Sequence, residues 1–454
     1  MRRVKYFVEF VLRPIGFVVF FLLYGSGVLA QEPQEPLTLE GSIKIAMERN
    51  LAIHSAVEEV AGSEYRYKEA ITKFLPSWTG QYTLGRYNAP AFVVPTPIVL
   101  PITFPGINTV TSRDVYSFST NVSQPVFTGG LNLANYRSAK LGVNLSKASV
   151  ETARRDLILQ VRVGYFTILR AEKYLDVAEQ QVKQFEAQLK VTKAFFDAEK
   201  VSMNDVLQAE VSLANARQSM AKAANDVSTA KASFNTLLRR EITTPFEVVD
   251  ILAYKTIPLS YEQSLEEALR LRPEIKAAQI NVDQTRENVK VARSGFFPTI
   301  SLAGNYSRSS DMWTLQKDLK LDNMWSIQAS ATFTLWNWGN TAFKVGESKV
   351  KVTQAEDSKN QLIDSITLEV RDAYLNMLLA EKNIRTAETA IAQAEENLRM
   401  FEERYKYQVA TQTDVIIAVT FLTQARTNYY SALSDFNIAQ AQLERAMGRM
   451  YPQS

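Results

Sequence analysis

Few side chains in this 454-residue sequence are equipped for chemistry. His54 is the one histidine and there is no cysteine, which excludes a thiolate nucleophile, a thiolate metal site, a disulfide framework and a lipid-anchored amino-terminal Cys. No His-Glu-x-x-His, phosphate-binding glycine loop or Gly-rich turn after a strand is present. The carboxylates sit among basic neighbours at helical spacing, as at Glu395, Glu396, Arg399 and Glu402, the pattern of a solvated helix face. Neither an enzyme nor a cofactor is expected. The ten methionines are scattered without histidine clusters, so no copper or silver site is indicated.

Two acids stand apart. Asp205 and Asp414 each precede a valine that opens an apolar-periodic segment. The physical expectation is an N-cap, in which the carboxylate accepts hydrogen bonds from the free N–H groups of the helix's first turn.

The segments that hold these acids are long and repeat. Leu37-Thr38 through Phe74-Leu75-Pro76 matches Leu259-Ser260 through Phe296-Phe297-Pro298 at a constant offset of 222. Farther on the offset is 209, setting Val161-Arg162 on Val370-Arg371, Tyr165 on Tyr374, and Asp205-Val206 on Asp414-Val415. The chain therefore divides into residues 1–30, a first repeat over 31–240, a linker over 241–258 and a second repeat over 259–450.

Residues 1–30 read as a secretory signal peptide. Arg2, Arg3 and Lys5 precede an apolar run from Ile15 to Leu29 that ends in Val28-Leu29-Ala30. An uncleaved anchor is the alternative, and either one exports the chain. This leader holds four of the 51 basic residues and one of the 48 acidic ones, so the remainder carries 47 of each and offers nucleic acid no electrostatic footprint. No run of about 18 apolar residues follows, which leaves strands as the way to span a membrane.

Met377, Ala380, Ile384, Ala387, Ile391, Ala394, Leu398, Phe401 and Tyr405 alternate steps of three and four, and so do Val415 through Ala446. The first repeat does the same with Leu175, Ala178, Val182, Phe185 and Leu189, then Val206, Ala209, Leu213 and Ala216. These are heptad seams of supercoiled helices, with alanine allowing close backbone approach. The helix from Leu131 to about Phe196 is expected to run roughly 100 Å. Ser260 with Gln263 forms a capping box for a helix that Arg272-Pro273 should end or kink.

Between the helices lie period-two segments. Trp78, Gly80, Tyr82 and Leu84 alternate with Thr79, Gln81 and Thr83, while Phe118, Thr120 and Val122 alternate with Ser119, Asn121 and Ser123. Ile300, Leu302 and Tyr306 alternate with Ser301 and Asn305, and Ile327 through Leu335 alternate with Ser326 through Thr334. Their apolar and small-polar faces fit bilayer-spanning barrel strands, and Trp78, Tyr87, Tyr116, Trp325, Trp336 and Trp338 fall near strand ends as an aromatic girdle would. A soluble half-buried sheet is the alternative. The loop over 88–114 carries five prolines and must be a surface excursion. Four strands cannot close a barrel, so a ring of copies is required.

The Phe-Leu-Pro strand entry, the second strand ending Gln124-Pro125-Val126-Phe127 with Gly129-Gly130, the long helices and the Thr-x-x-Asp-Val tip together resemble the TolC-like outer-membrane efflux family. The resemblance covers nearly all of the chain after the leader. It implies a mainly α fold with membrane β: a long α-helical barrel, plus four strands per subunit shared in a trimeric twelve-stranded barrel. It further implies a homotrimer in outer-membrane lipid that meets a periplasmic adaptor and an inner-membrane pump or ABC transporter, for efflux or type I secretion. The family's tip motif falls on Tyr405, Gln408, Thr411 and Asp414-Val415, and on Phe196, Glu199, Ser202 and Asp205-Val206. The family's glycine is replaced by Glu199 and Gln408, its arginine by Ala410 and its further acid by Ile417. What the resemblance leaves is Asp414 alone lining a periplasmic constriction, three copies making an acidic ring. A periplasmic coiled-coil adaptor or a structural filament is the rival reading, but a filament needs no paired amphipathic strands.

Overall fold

The computed structural model describes residues 36–88, 114–255, 258–310, 313–315 and 323–450. The leader over 1–30 and nearly all of the Pro-rich loop lie outside the described residues. In chain order the elements are α1 (Leu39–Arg49), α2 (Leu51–Thr72), β1 (Ser77–Arg86), β2 (Asp114–Thr128), α3 (Leu131–Asp197) and α4 (Met203–Leu237). They are followed by α5 (Tyr261–Leu271), α6 (Pro273–Ser294), β3 (Thr299–Ser310), β4 (Met324–Thr332), α7 (Asn340–Lys406) and α8 (Gln412–Ala446).

Helix lengths recur as 11, 22, 67 and 35 residues in α1–α4 and again in α5–α8. Each 67-residue helix spans roughly 100 Å. No described helix is long and apolar enough to cross a membrane.

The expected break at Pro273 is present, with Ser260 and Gln263 forming the capping box of α5. The matching break after Arg49 has no proline to announce it. There Asn50 turns extended and its side chain accepts from the Ala52 N–H at 2.8 Å, capping α2. Consequently His54 sits on α2, exposed and 3.9 Å from Glu58.

The seams bury the residues their period selects. Met377, Ala380, Ile384, Ala387, Ala394, Leu398 and Tyr405 of α7 are buried, as are Val415, Ala418, Leu422 and Ala425 of α8. Ile391 and Phe401 are half-buried against the same cluster, which also takes Val182, Phe185, Leu213 and Ala216 from the first hairpin. The two hairpins thus share one core near their tips.

Residues 246–254 run across the helices of both repeats, away from the tips. Leu37 N–H donates to the Glu247 carbonyl at 2.8 Å, and the Tyr165 hydroxyl donates to the Leu37 and Val249 carbonyls at 3.0 and 2.8 Å. Burial pushes the Tyr165 phenol up to about 12, so it remains a donor. At the α5–α6 break the buried Arg272 pairs with Glu274 and Glu369, and Arg445 pairs with Glu369 and Asp156, tying α3, α6, α7 and α8 together.

The four strands form one antiparallel sheet in the order β1-β2-β3-β4. Register divides its faces cleanly. One row runs Thr79–Asn121–Asn305–Ser326, and Asn121 donates to Asn305 at 2.8 Å across the strands. Neighbouring rows on the other face run Trp78–Val122–Gly304–Ile327 and Gly80–Thr120–Tyr306–Trp325. The alternation expected from sequence continues to Leu335, but the ladder stops at Thr332. Thr332 pairs with Thr299, and the residue before Thr299 is Pro298, which has no N–H to donate.

Because Ala418 is wholly buried where α8 packs on α7, Ala418→Leu should force the helices apart and cost about 1–3 kcal/mol. A lowered denaturation midpoint in detergent would show it; an unchanged midpoint would mean the seam is looser than its burial indicates.

Candidate functional site

The two helix hairpins turn at matching tips. At the end of α3 the Glu199 N–H donates to the Phe196 carbonyl and the Lys200 N–H to the Phe195 carbonyl, both at 2.8 Å. At the end of α7 the Gln408 N–H donates to Tyr405 and the Val409 N–H to Arg404, at 3.0 and 2.9 Å. This bonding satisfies the last carbonyls only if the residue after the cap is left-handed. Glu199 and Gln408 adopt φ of 59° and 60°. The turn the family builds with glycine is thus kept by non-glycine residues, at a conformational cost of about 1–2 kcal/mol each.

The next helices then start on a hydroxyl. Thr411 is the N-cap of α8, accepting from the Asp414 N–H at 3.2 Å, while Asp414 accepts from the Thr411 N–H at 2.8 Å and its hydroxyl at 2.7 Å. Asp205 accepts likewise from the Ser202 N–H and hydroxyl at 2.9 and 2.7 Å. The aspartates are therefore not the N-caps expected from sequence. They lie three positions into the structure and reach back, because a shorter hydroxyl already occupies the cap. The hydroxyl and N–H of Thr411 hold the Asp414 carboxyl below the usual carboxylate range.

A cavity of about 350 Å³ separates the tips, lined by Ser202, Asp205, Tyr405, Thr411 and Gln412 among others. Four of the five expected tip residues meet there; Asp414 lies outside it, on the first turn of α8. Beside the cavity is a buried polar cluster that joins both hairpins. Gln188 donates to the Gln412 side-chain oxygen at 2.7 Å, Thr192 donates to the same oxygen at 2.9 Å, and Thr192 lies 3.2 Å from the Tyr405 hydroxyl. Burial raises the Tyr405 phenol above its ordinary value and Thr192 partly offsets this, so the hydroxyl stays protonated. Sequence reasoning found Tyr405 but missed Gln188, Thr192 and Gln412. The available signal was Thr192, a polar residue at the seam position after Leu189.

The aromatic residues mark the sheet's two ends. Trp78 is the second residue of β1, on the edge where the helices join, and donates to Thr120 at 2.6 Å. Trp325 is the second residue of β4, on the loop edge, and Trp336 and Trp338 follow the end of β4 on the helix edge. Among the described residues no group of three or more His, Asp or Glu side chains is placed to hold a metal ion.

Residues 42–238 and 264–449 both match the family model described as outer membrane efflux protein. The chain belongs to that family. The outer membrane efflux protein BepC of Brucella suis is 22% identical over 429 residues, covering 94% of this chain and 89% of that protein. The outer membrane protein TolC of Vibrio cholerae is 24% identical over 345 residues, covering 75% and 78%. A solved structure of CusC superposes with a TM-score of 0.78 at 18% identity, over 91% of this chain and 92% of that one, and shows the same fold. The protein is thus an outer-membrane channel of the efflux and secretion type. The adaptor reading is not favoured.

Two changes at the tip should move stability in opposite directions. Gln408→Gly relieves the left-handed residue and should raise stability by up to about 1 kcal/mol, whereas Thr411→Ala removes the cap and should lower it by about 1 kcal/mol. Chemical denaturation of both variants checks the signs. The Asp414 carboxyl is lowered from 3.8 in the fold, so its capping contribution is complete above that value and is lost as pH falls through the lowered one. Amide exchange in the first turn of α8 should therefore stay slow at mildly acid pH and quicken only below it.

Proposed function

We propose that three copies of this chain close a twelve-stranded barrel in the outer membrane and continue below it as one α-helical tunnel. The observation that carries the reading is the sheet. Its rows are mainly Ser, Thr, Asn and Gln on one face, with Ala303 and Met324 among them, and mainly apolar on the other, with Arg308 among them; among the described residues no strand pairs with the outer side of β1 or β4. The polar rows line the lumen, the apolar rows meet lipid, and edge β4 pairs with β1 of the next copy. Trp78 and Trp325 mark the two membrane rims.

The division read from sequence fits this assembly: an export leader over 1–30, repeats over 31–240 and 259–450, and a linker over 241–258 that girdles the helices. The tunnel is a passive exit duct gated at its tips, where a periplasmic adaptor docks and an inner-membrane pump or ABC transporter delivers cargo. The inner-membrane partner selects that cargo, so drug efflux and type I secretion make the same demand on this subunit. At the tip, Asp414 of the three copies forms the acidic constriction. Its lowered pKa and partial exposure support a carboxylate that is charged at neutral pH and open to passing ions. Asp205, at the corresponding place in the first repeat, serves its own helix.

Purified protein in a planar bilayer should give stable, low-conductance, cation-preferring channels. Asp414→Ala should abolish the cation preference and Asp205→Ala should leave it. Equal effects of the two variants would remove Asp414 from the constriction, and absence of any channel would remove the tunnel.

A further inference from the structure

The four strands hold three charged residues, Arg86, Asp114 and Arg308, all at the loop end of the sheet and all on its mainly apolar face. Two of them are one position repeated. The offset of 222 between the repeats sets Arg86 on Arg308, and the offset of 209 sets Asp114 on Asn323. In the first repeat Arg86 faces Asp114 across the ladder and pairs with it at 3.4 Å. In the second, the register that joins Ser307 to Met324, carried on by one residue, brings Arg308 opposite Asn323. The duplication has kept the guanidinium and exchanged its counter-ion for a neutral amide.

Arg308 is left half-buried, and among the described residues it has no ion pair, hydrogen bond or ring contact. Its neighbours on the face are Phe118 across the ladder and Tyr306 two residues earlier on its own strand. Such a charge is costly at the middle of a bilayer and tolerated at its rim, where an anion can meet it. Its place on the strand fits the rim. Tyr306 pairs with Trp325 at the loop-side edge of the sheet, and Arg308 lies about 7 Å beyond Tyr306 along β3. The aliphatic stem packs on the apolar face while the fork reaches the headgroup layer.

The chemistry of the pair selects the anion. A guanidinium presents parallel N–H donors that match two oxygens of a phosphate, and a side-chain amide adds a further donor. A carboxylate at the place of Asn323 would repel the same group. We propose that Arg308 and Asn323 bind the phosphate monoester of an outer-leaflet lipid headgroup, at one site per chain, while Arg86, neutralised by Asp114, does not. The inference rests on the sheet being the membrane barrel with its loop end outward.

The full-length protein, purified in mild detergent, is titrated with bisphosphorylated lipid A and followed by native mass spectrometry. One lipid retained per chain is expected, and Arg308→Gln should weaken retention about tenfold. Asn323→Asp, which restores the counter-ion, should weaken it similarly, and Arg86→Gln should leave it unchanged. Equal retention by Arg308→Gln, or of lipid A stripped of its phosphates, would overturn the site, as would an equal loss in Arg86→Gln. Displacement of the lipid by a modest excess of inorganic phosphate would assign the site to free phosphate and overturn the lipid. The same preparations are recorded in a planar bilayer. Conducting channels alongside any of these contrary results spare the barrel, whereas protein that fails to insert sinks the barrel and the site together.

Discussion

An unpaired backbone N–H or C=O in hydrocarbon costs several kcal/mol, and the sheet of this protein has two edges lined with them. Strands β1 and β4 are apolar on one face and, among the described residues, have no strand on their outer sides. The proposed oligomer answers that constraint, with no appeal to an attractive patch. The same constraint fixes the composition of the faces, because a closed barrel has only a lumen and a lipid side. It also fixes where the helices lie. All four helix junctions fall on one edge of the sheet, so closing the sheet gathers the α3–α4 and α7–α8 hairpins around the same axis.

In the proposed assembly the helices extend this closure into a long duct. Alanine-rich seams bring α3 to α4 and α7 to α8 closely enough that 67-residue helices remain single rods. Their far ends are tied by different chemistry. The buried Gln188–Gln412–Thr192–Tyr405 cluster exchanges apolar packing for directed hydrogen bonds. Such a cluster sets the register of one hairpin against the other through bonds that must all form together.

Much of this was legible from residue spacing. Heptad steps selected the buried faces of α7 and α8 almost residue by residue, and period two separated Asn121 from Val122 and Asn305 from Tyr306. What escaped depended on partners or on competition between neighbouring groups. The alternation through Leu335 could not show that β3 has no residue to pair beyond Thr299. Asn50 breaks its helix as effectively as Pro273, yet asparagine is common inside helices and gave no comparable warning. Asp205 and Asp414 read as caps until the hydroxyls three residues earlier were seen to hold that position. The replacement of the tip glycines by Glu199 and Gln408 gave no sign that the closing hydrogen bonds would hold both residues left-handed.

In the proposed assembly β4 of one copy pairs with β1 of the next in the membrane. Carried across the repeat offsets of 209 and 222, the Asn121–Asn305 pairing sets Ser330 opposite Thr83 of the adjacent copy. The chain has no cysteine, so a Thr83→Cys, Ser330→Cys protein oxidised in native outer membranes reports that contact without background. The expected result is a covalent ladder ending at a trimer and abolished by reductant. Protein that is inserted and folded but stays monomeric after oxidation, in this register and with Ser330→Cys moved to Gln328→Cys, would contradict it.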